Sequence, residues 1–173
     1  LQKNSNAYVW RADIRKFFDN VDQHVLLQLL GRRVHDQHAL WIIRQVISSY
    51  ASNELGKGMP IGNLTSQIFS NIYLNELDRF VKHVLGVDSY LRYGDDFLIF
   101  ENDSKKLAEL RLRVVSFLSE NLILIVNPKN DHMVKTKHGL KFLGVQLWPH
   151  GRRLTRRNRK RVARKLNGTN LSS

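Results

Sequence analysis

Hydrophobic and polar positions along the chain follow two periods, about 2 residues for strands and about 3.6 for helices, and each stretch predicts its own element. Tyr8 to Ile14 is a short aromatic and β-branched run closing around Asp13, which predicts a strand. Helical spacing follows in Val21–Leu30 and again in Asp36–Tyr50, where Leu40, Ile43, Val46 and Ile47 share a face. Gly56, Gly58 and Pro60 predict a loop. The strongest helix is predicted from Thr65 to Leu85, where Phe69, Tyr73, Leu77, Phe80, Val81 and Val84 form one apolar stripe and Gly86 is a natural stop.

The second half alternates in the same way. Tyr90–Tyr93 and Phe97–Phe100 flank Gly94-Asp95-Asp96, which predicts a β-hairpin. Ser104 is expected to cap a helix reaching about Asn121. Leu122–Val126 predicts a buried strand and Gly139–Leu147 another. Arg152–Leu166 predicts a basic amphipathic helix with Val162 and Leu166 on a thin apolar side. Strand, helices, hairpin, helix and strands in this order predict an α+β fold, a sheet backed by helices.

Charge adds a division that hydropathy does not show. Of 173 residues, 28 are Lys or Arg and 15 are Asp or Glu, a net charge of +13. Residues 1–131 are almost neutral, with 16 basic and all 15 acidic groups, whereas residues 132–173 hold 12 basic groups and no acid. A nearly neutral domain with a basic end points to a phosphate-bearing partner. Zero Cys excludes disulfide scaffolds and thiolate metal sites, and a reducing, cytoplasmic location is the expectation. The longest apolar stretch, Leu122 to Val126, is too short to span a bilayer, so no membrane partner is expected. No signal peptide is recognised, and the opening Leu1-Gln2-Lys3 without an initiating Met suggests a fragment of a longer reading frame.

Candidate chemistry centres on Tyr93-Gly94-Asp95-Asp96. Adjacent carboxylates on a regular strand point to opposite faces, but a tight turn with glycine taking the awkward dihedrals can present both to one side. Close carboxylates repel, and a hard divalent cation relieves that repulsion. Asp13, at the end of the first strand, supplies a third acid if the hairpin pairs beside it. Such a set can hold two Mg²⁺ in the clamp used for in-line phosphoryl transfer. A Gly-Asp turn by itself is also simply a turn. Asp19 and Asp22 read as helix caps. His35 and His38 stand three apart without a third ligand and read as surface groups.

Several motifs then occur in one order. Asp13-Ile14-Arg15-Lys16-Phe17-Phe18-Asp19-Asn20-Val21-Asp22 comes first, and Gly58-Met59-Pro60-Ile61-Gly62-Asn63-Leu64-Thr65-Ser66-Gln67 opens the long helix. Tyr93-Gly94-Asp95-Asp96 follows, then Asn127-Pro128-Lys129, then Gly139-Leu140-Lys141-Phe142-Leu143-Gly144. The succession, from about Tyr8 to Leu166, resembles the palm domain of reverse transcriptases. That implies a right-hand polymerase palm over residues 1–150 and the start of a basic helical thumb over residues 151–173, with the fingers missing from this piece, which by itself is expected to be inactive if they are essential. Within the family, Ile61-Gly62-Asn63-Leu64-Thr65-Ser66-Gln67 and Asn71-Ile72-Tyr73-Leu74-Asn75-Glu76-Leu77-Asp78 look like the enzymes of diversity-generating retroelements. Retroviral and group II intron enzymes usually carry Gln at the position of Ile61 and Ser-Pro where this chain has Ser66-Gln67.

What the resemblance implies is an RNA-directed DNA polymerase, error-prone in this branch, with two Mg²⁺ ions, or Mn²⁺, held by Asp13, Asp95, Asp96 and the Ile14 carbonyl. Its implied partners are an RNA template, a DNA or RNA primer, dNTPs and a small basic accessory protein. Phe18 matches the bulky position that excludes a ribose 2′-OH, with Phe17 inside the core. Ile61, Gly62, Asn63, Ser66, Gln67, Tyr93 and Lys129 match nucleotide- or template-facing positions, and Phe142-Leu143-Gly144 matches the primer-gripping hairpin. Arg152, Arg153, Arg156 and Arg157 lead the basic end that would follow the nucleic-acid backbone. Alternative readings are a retron, group II intron-like or defence-associated enzyme, or a non-catalytic nucleic-acid-binding palm fragment.

Overall fold

The computed structural model describes residues 5–50, 54–59 and 64–169. The first strand, β1 (Tyr8–Ala12), stops just before Asp13. Lys16, at φ 45°, turns the chain into a single helical turn, α1 (Phe17–Asn20). Two helices follow, α2 (Gln23–Gly31) and α3 (Gln37–Ser48), each started by an aspartate. Asp22 accepts from the backbone N–H groups of His24 and Val25 at 2.9 and 3.0 Å, and Asp36 does the same for His38 and Ala39. Each cap satisfies amides that the helix leaves free. Asp22 is therefore a cap as expected; Asp19 lies inside α1, exposed, and caps nothing.

The long helix α4 (Leu64–Arg79) runs into a π-helical turn, Phe80–Val84, and stops at Gly86 with φ 65°. The hairpin follows as β2 (Tyr90–Tyr93) and β3 (Asp96–Glu101). Helix α5 (Ser104–Asn121) is capped by Asp103, which accepts from the Lys105 amide at 2.7 Å, so the cap is one residue before the expected Ser104. Leu122–Val126 does not form the expected buried strand. Its alternate residues Leu122, Leu124 and Val126 are buried, but Ile123 sits at φ 52° and breaks the extended run. The segment makes one bridge, Val126 to Ile14. Past a short 3₁₀ turn, Pro128–Asn130, lies β4 (His132–Lys135).

These strands form an antiparallel sheet in the order β2-β3-β1-β4. Trp10 aligns with Ile99 and Ala12 with Phe97, so these four share one face. That face packs on Tyr73, Leu74 and Leu77 of α4 and Leu107, Val114 and Leu118 of α5 in the main core. Trp10 meets Phe97 edge to face at 5.2 Å. The other face carries Val9 and Leu98, which pack with Leu140 and Phe142 of a second, three-stranded sheet. It contains β5 (Leu140–Phe142), β6 (Val145–Trp148) and β7 (Gly151–Leu154), ordered β5-β6-β7.

The last helix, α6, is Arg156–Thr169. Arg152 and Arg153 are thus on strand β7, paired with Leu147 and Gln146, and not on the helix the periodicity predicted. A short run rich in arginine has no apolar alternation to reveal a strand. Among the described residues, no helix is long and apolar enough to cross a membrane.

One partly buried polar network joins sheet and helix. The Trp10 indole N–H donates to Asp131 at 2.7 Å, and Arg111 of α5 grips the same carboxylate through Nε and Nη2. Arg111, with a smaller contribution from Trp10, holds the Asp131 carboxyl below its ordinary range. A carboxyl with a depressed folded-state pKa contributes stability above its unfolded value near 3.8, and that contribution is lost as pH falls through the lower value. Asp131→Ala orphans a buried indole N–H and a guanidinium, and it is expected to lower stability by about 2–4 kcal/mol at neutral pH. Denaturant melts at pH 7 and pH 3 check this, with the difference between mutant and wild type shrinking at the lower pH.

Candidate active site

Asp13 is one residue past the end of β1, and Asp96 opens β3. Because Ala12 aligns with Phe97, Asp13 and Asp96 stand one step beyond the last register pair, on the face opposite the main core. Asp95 lies in the turn between β2 and β3, whose flanking pair is Tyr93 and Asp96. Gly94 takes φ 61° at the first central position while Asp95 keeps negative φ, the sense of a type II′ turn, which calls for glycine there. Hairpin and β1 thus bring the three acids to one end of the sheet.

Their electrostatics show the crowding. Burial first, and then the charges of Asp96 and Asp13, push the Asp95 carboxyl above its ordinary value, against a hydrogen bond from its own backbone that lowers it. Asp96 is met by Arg11 at 3.3 Å. Asp13 accepts from the Asn130 amide through Oδ2 at 2.6 Å, and its Oδ1 is buried with no hydrogen-bond partner. Among the described residues, no three His, Asp or Glu side chains stand together as a formed metal-binding group. The backbone converges as expected, but Asp96 is turned toward Arg11 and Asp13 toward Asn130. An orphaned carboxylate oxygen beside two further acids is nevertheless the donor set that suits a hard divalent cation.

The neighbouring positions divide. Ile14 is buried, and its bridge to Val126 is made by flanking groups (Arg15 N–H to the Ile125 carbonyl, Asn127 N–H to the Asp13 carbonyl), which leaves the Ile14 carbonyl out of it. Phe17 is buried in the core, as expected, and Phe18 is half-buried against it, edge on at 5.3 Å. Ile61, Gly62 and Asn63 lie outside the described residues. Ser66 is buried with Oγ unpartnered among the described residues, so it neither caps α4 nor faces a template surface there; Gln67 is exposed. Tyr93 is 68% exposed beside Asp96, and Lys129 is exposed on the 3₁₀ turn that carries Asn130.

Phe142 is buried under the sheet, whereas Leu143 and Gly144 form the β5–β6 turn at φ 48° and 77°. The Gly144 carbonyl accepts from Thr155 N–H at 3.0 Å and Asn158 Nδ2 at 3.1 Å, so this turn seats the start of α6. The φ of 77° at Gly144 favours glycine, and a Cβ there would also displace the Asn158 side chain, whose Nδ2 would stand 2.0 Å away. Arg152, Arg153, Arg156 and Arg157 are exposed, and Arg153 lies 4.9 Å over the Trp148 ring. His38 stacks on Trp41 on the surface of α3. Sequence reasoning misses two residues near the acids, Arg11 and Asn130. Arg11 is legible in principle, since it precedes Asp13 by two positions on a strand and must share its face. Asn130 is 117 positions from Asp13, and only the fold joins them.

A family model described as reverse transcriptase (RNA-dependent DNA polymerase) matches residues 1–147. The group II intron-encoded protein LtrA of Lactococcus lactis subsp. cremoris is 34% identical over 105 residues, 56% of this chain and 18% of that protein. Protein YkfC of Escherichia coli is 23% identical over 178 residues, covering 81% of this chain and 46% of that one. The chain thus spans less than half the length of these curated relatives. Among solved structures, telomerase from Candida albicans in complex with a fragment of telomeric RNA aligns with TM-score 0.69 and 16% identity, over 87% of this chain and 31% of that one. Apo telomerase from Candida tropicalis aligns with TM-score 0.67 and 15% identity, over 90% of this chain and 37% of that one. At such identities these likenesses show a shared α+β fold. With the family model spanning most of its length, the chain belongs to the reverse transcriptase (RNA-dependent DNA polymerase) family.

Proposed function

We propose that this chain is the palm of an RNA-directed DNA polymerase that extends a DNA or RNA primer with dNTPs along an RNA template. The observation that supports it most is the gathering of Asp13, Asp95 and Asp96 at one sheet end, with Asp13 Oδ1 buried and unpartnered. Asp13, Asp95 and Asp96, with the Ile14 carbonyl, would hold the divalent ions. Two such ions, when bound, neutralise developing charge on the attacking and leaving oxygens of phosphoryl transfer. The chain's own residues set the stage around that reaction. Asp13 and Asp95 would hold the ions beside the primer 3′-OH and the α-phosphate, and Phe18 would close the space beside the sugar. The β5–β6 turn and the arginines of β7 and α6 would hold the template–primer duplex. Metal-dependent primer extension on an RNA template tests the reading.

Within this class, the diversity-generating retroelement branch is the finer reading. It rests on Ile61 and on Ser66-Gln67, which resemble that branch and depart from the Gln and Ser-Pro of group II intron enzymes. An aliphatic side chain offers no hydrogen bond to the nascent pair, and less polar readout discriminates less between bases. A small basic accessory protein is the partner this branch implies. The similarity to LtrA favours a second reading, a group II intron-like enzyme. Ile61→Gln separates them: in the mutagenic branch it is expected to lower misincorporation by about 10-fold, the discrimination that one added hydrogen bond supplies. Sequencing of the extended products measures this, and an unchanged error spectrum favours the intron-like reading.

A further inference from the structure

Beneath the turn that carries Asp95, on the face away from the acids, lies an ion pair that takes no part in holding metal. Asp78 of α4 accepts from Tyr90 Oη at 2.7 Å and from Arg92 twice, through Nε at 2.7 Å and Nη2 at 2.6 Å. The remaining arm of the guanidinium, Nη1, donates to the Gly94 carbonyl at 3.0 Å. Only 12% of the Arg92 side chain is exposed. One planar cation therefore ties helix α4, strand β2 and the turn together.

The Gly94 carbonyl belongs to the central peptide of that turn, the unit joining Gly94 to Asp95. Rotating this peptide converts a type II′ turn into type I′, which requires positive φ at the second central residue as well. Here that residue is Asp95, and its Cβ direction would swing with the peptide. Strand β2 is an edge strand of four residues whose pairing ends at Tyr93 with Asp96, so the ladder closes the turn without engaging its central peptide. A partly buried, bidentate Arg–carboxylate pair is rigid and directional, and its third arm transmits that rigidity to the peptide.

We propose that Arg92, anchored by Asp78, is a positioning residue that locks the central peptide of the Gly94-Asp95 turn and so fixes the direction of the Asp95 carboxylate. This rests on the reading of Asp95 as an ion-holding group. Arg92→Lys is the informative change, because a single ammonium keeps the charge opposite Asp78 but cannot grip it with two nitrogens and also hold the Gly94 carbonyl. Tyr90→Phe removes a different hydrogen bond to Asp78 and leaves the contact with Gly94 in place.

Mn²⁺ binding to the protein without nucleic acid, followed by electron paramagnetic resonance, is measured beside thermal melts and primer-extension kinetics. The expected result for Arg92→Lys is Mn²⁺ affinity about 10-fold weaker, kcat lower by at least about 10-fold, and KM for dNTP within about twofold. Tyr90→Phe is expected to retain wild-type Mn²⁺ affinity even where its melting temperature falls as far. Arg92→Lys with wild-type affinity and kcat, or with a lowered melting temperature alone, overturns the positioning role. The same holds if Tyr90→Phe weakens Mn²⁺ binding equally, since the effect then follows stability. Full-length wild-type protein, fingers included, that binds Mn²⁺ at this site and extends no primer overturns the polymerase reading, and the affinity comparison still decides the role of Arg92. Full-length wild-type protein that neither binds Mn²⁺ nor extends primer overturns both.

Discussion

Asp95→Asn is expected to abolish primer extension while making the ion-free protein more stable. The carboxylate is pushed toward its neutral form by burial and by the charges of Asp96 and Asp13. A group whose folded-state pKa is raised contributes stability that is fully present below its unfolded value and is lost as pH rises through the folded value. At neutral pH the ionised Asp95 therefore opposes folding, and an isosteric amide removes the opposition. The gain should fade as pH falls toward the ordinary value of 3.8, where the acid is protonated in both states. Activity moves the other way. If Asp95 holds the ions as proposed, losing its carboxylate forfeits several kcal/mol of charge stabilisation, about 10³-fold or more in rate. The paired measurement is a melt without metal and an extension assay with it. Mg²⁺ should raise the melting temperature of wild type and leave Asp95→Asn nearly unchanged. A variant that melts lower and retains its rate would remove Asp95 from the proposed centre.

The second large effect is expected from the basic end. Helix α6 opens with Arg156 and Arg157 and has no acid in its first turn. Cations at a helix N-terminus oppose the macrodipole, so these residues make the helix less stable than acids there would. Their use is accordingly sought outside the chain, in phosphate. Each phosphate left without its cation flattens the slope of log affinity against log salt by about 0.9 on duplex. Replacing Arg152, Arg156, Arg157 and Arg161 by Gln should weaken template–primer binding by about 10²-fold or more at physiological salt and flatten the salt dependence by about 3.6 units. All four are exposed, so the thermal melt should hardly move. Binding titrations across a salt series report both numbers, and a duplex affinity indifferent to the changes would place the nucleic acid elsewhere on the molecule.

Much of the fold is legible in hydropathy because a buried face imposes a period. The stripe Phe69, Tyr73, Leu77, Phe80, Val81 and Val84 predicts the long helix, and Phe69, Tyr73, Leu77 and Val81 are buried in the core, whereas Val84 stands exposed on the π-helical turn. The hairpin around Gly94 is legible because its turn demands glycine. Elsewhere the pattern misleads for identifiable reasons. Leu122–Val126 has the composition of a buried strand, yet its backbone turns at Ile123 and pairs through one bridge only, as Ile123 and Ile125 face solvent. Strand β7 is missed because its arginines present no apolar alternation, and its partner β6 decides its conformation.

By itself the sequence determines which groups are available and where the chain must bend: the acids at 13, 95 and 96, the glycine between two strands, the basic run at the end. These are local facts, set by side-chain chemistry and backbone sterics at single positions. Which groups meet is decided by tertiary structure. Asp13 finds Asn130, Asp96 finds Arg11, and Asp78 finds Arg92 through the order β2-β3-β1-β4 and the seating of α4 beneath it. Such partners are far apart in sequence. Their closeness comes from burying one face of the sheet against α4 and α5, and no local periodicity records it. That burial brings the backbone of the three acids to one end of the sheet, where the charges of Asp96 and Asp13 help to push the Asp95 carboxyl above its ordinary value.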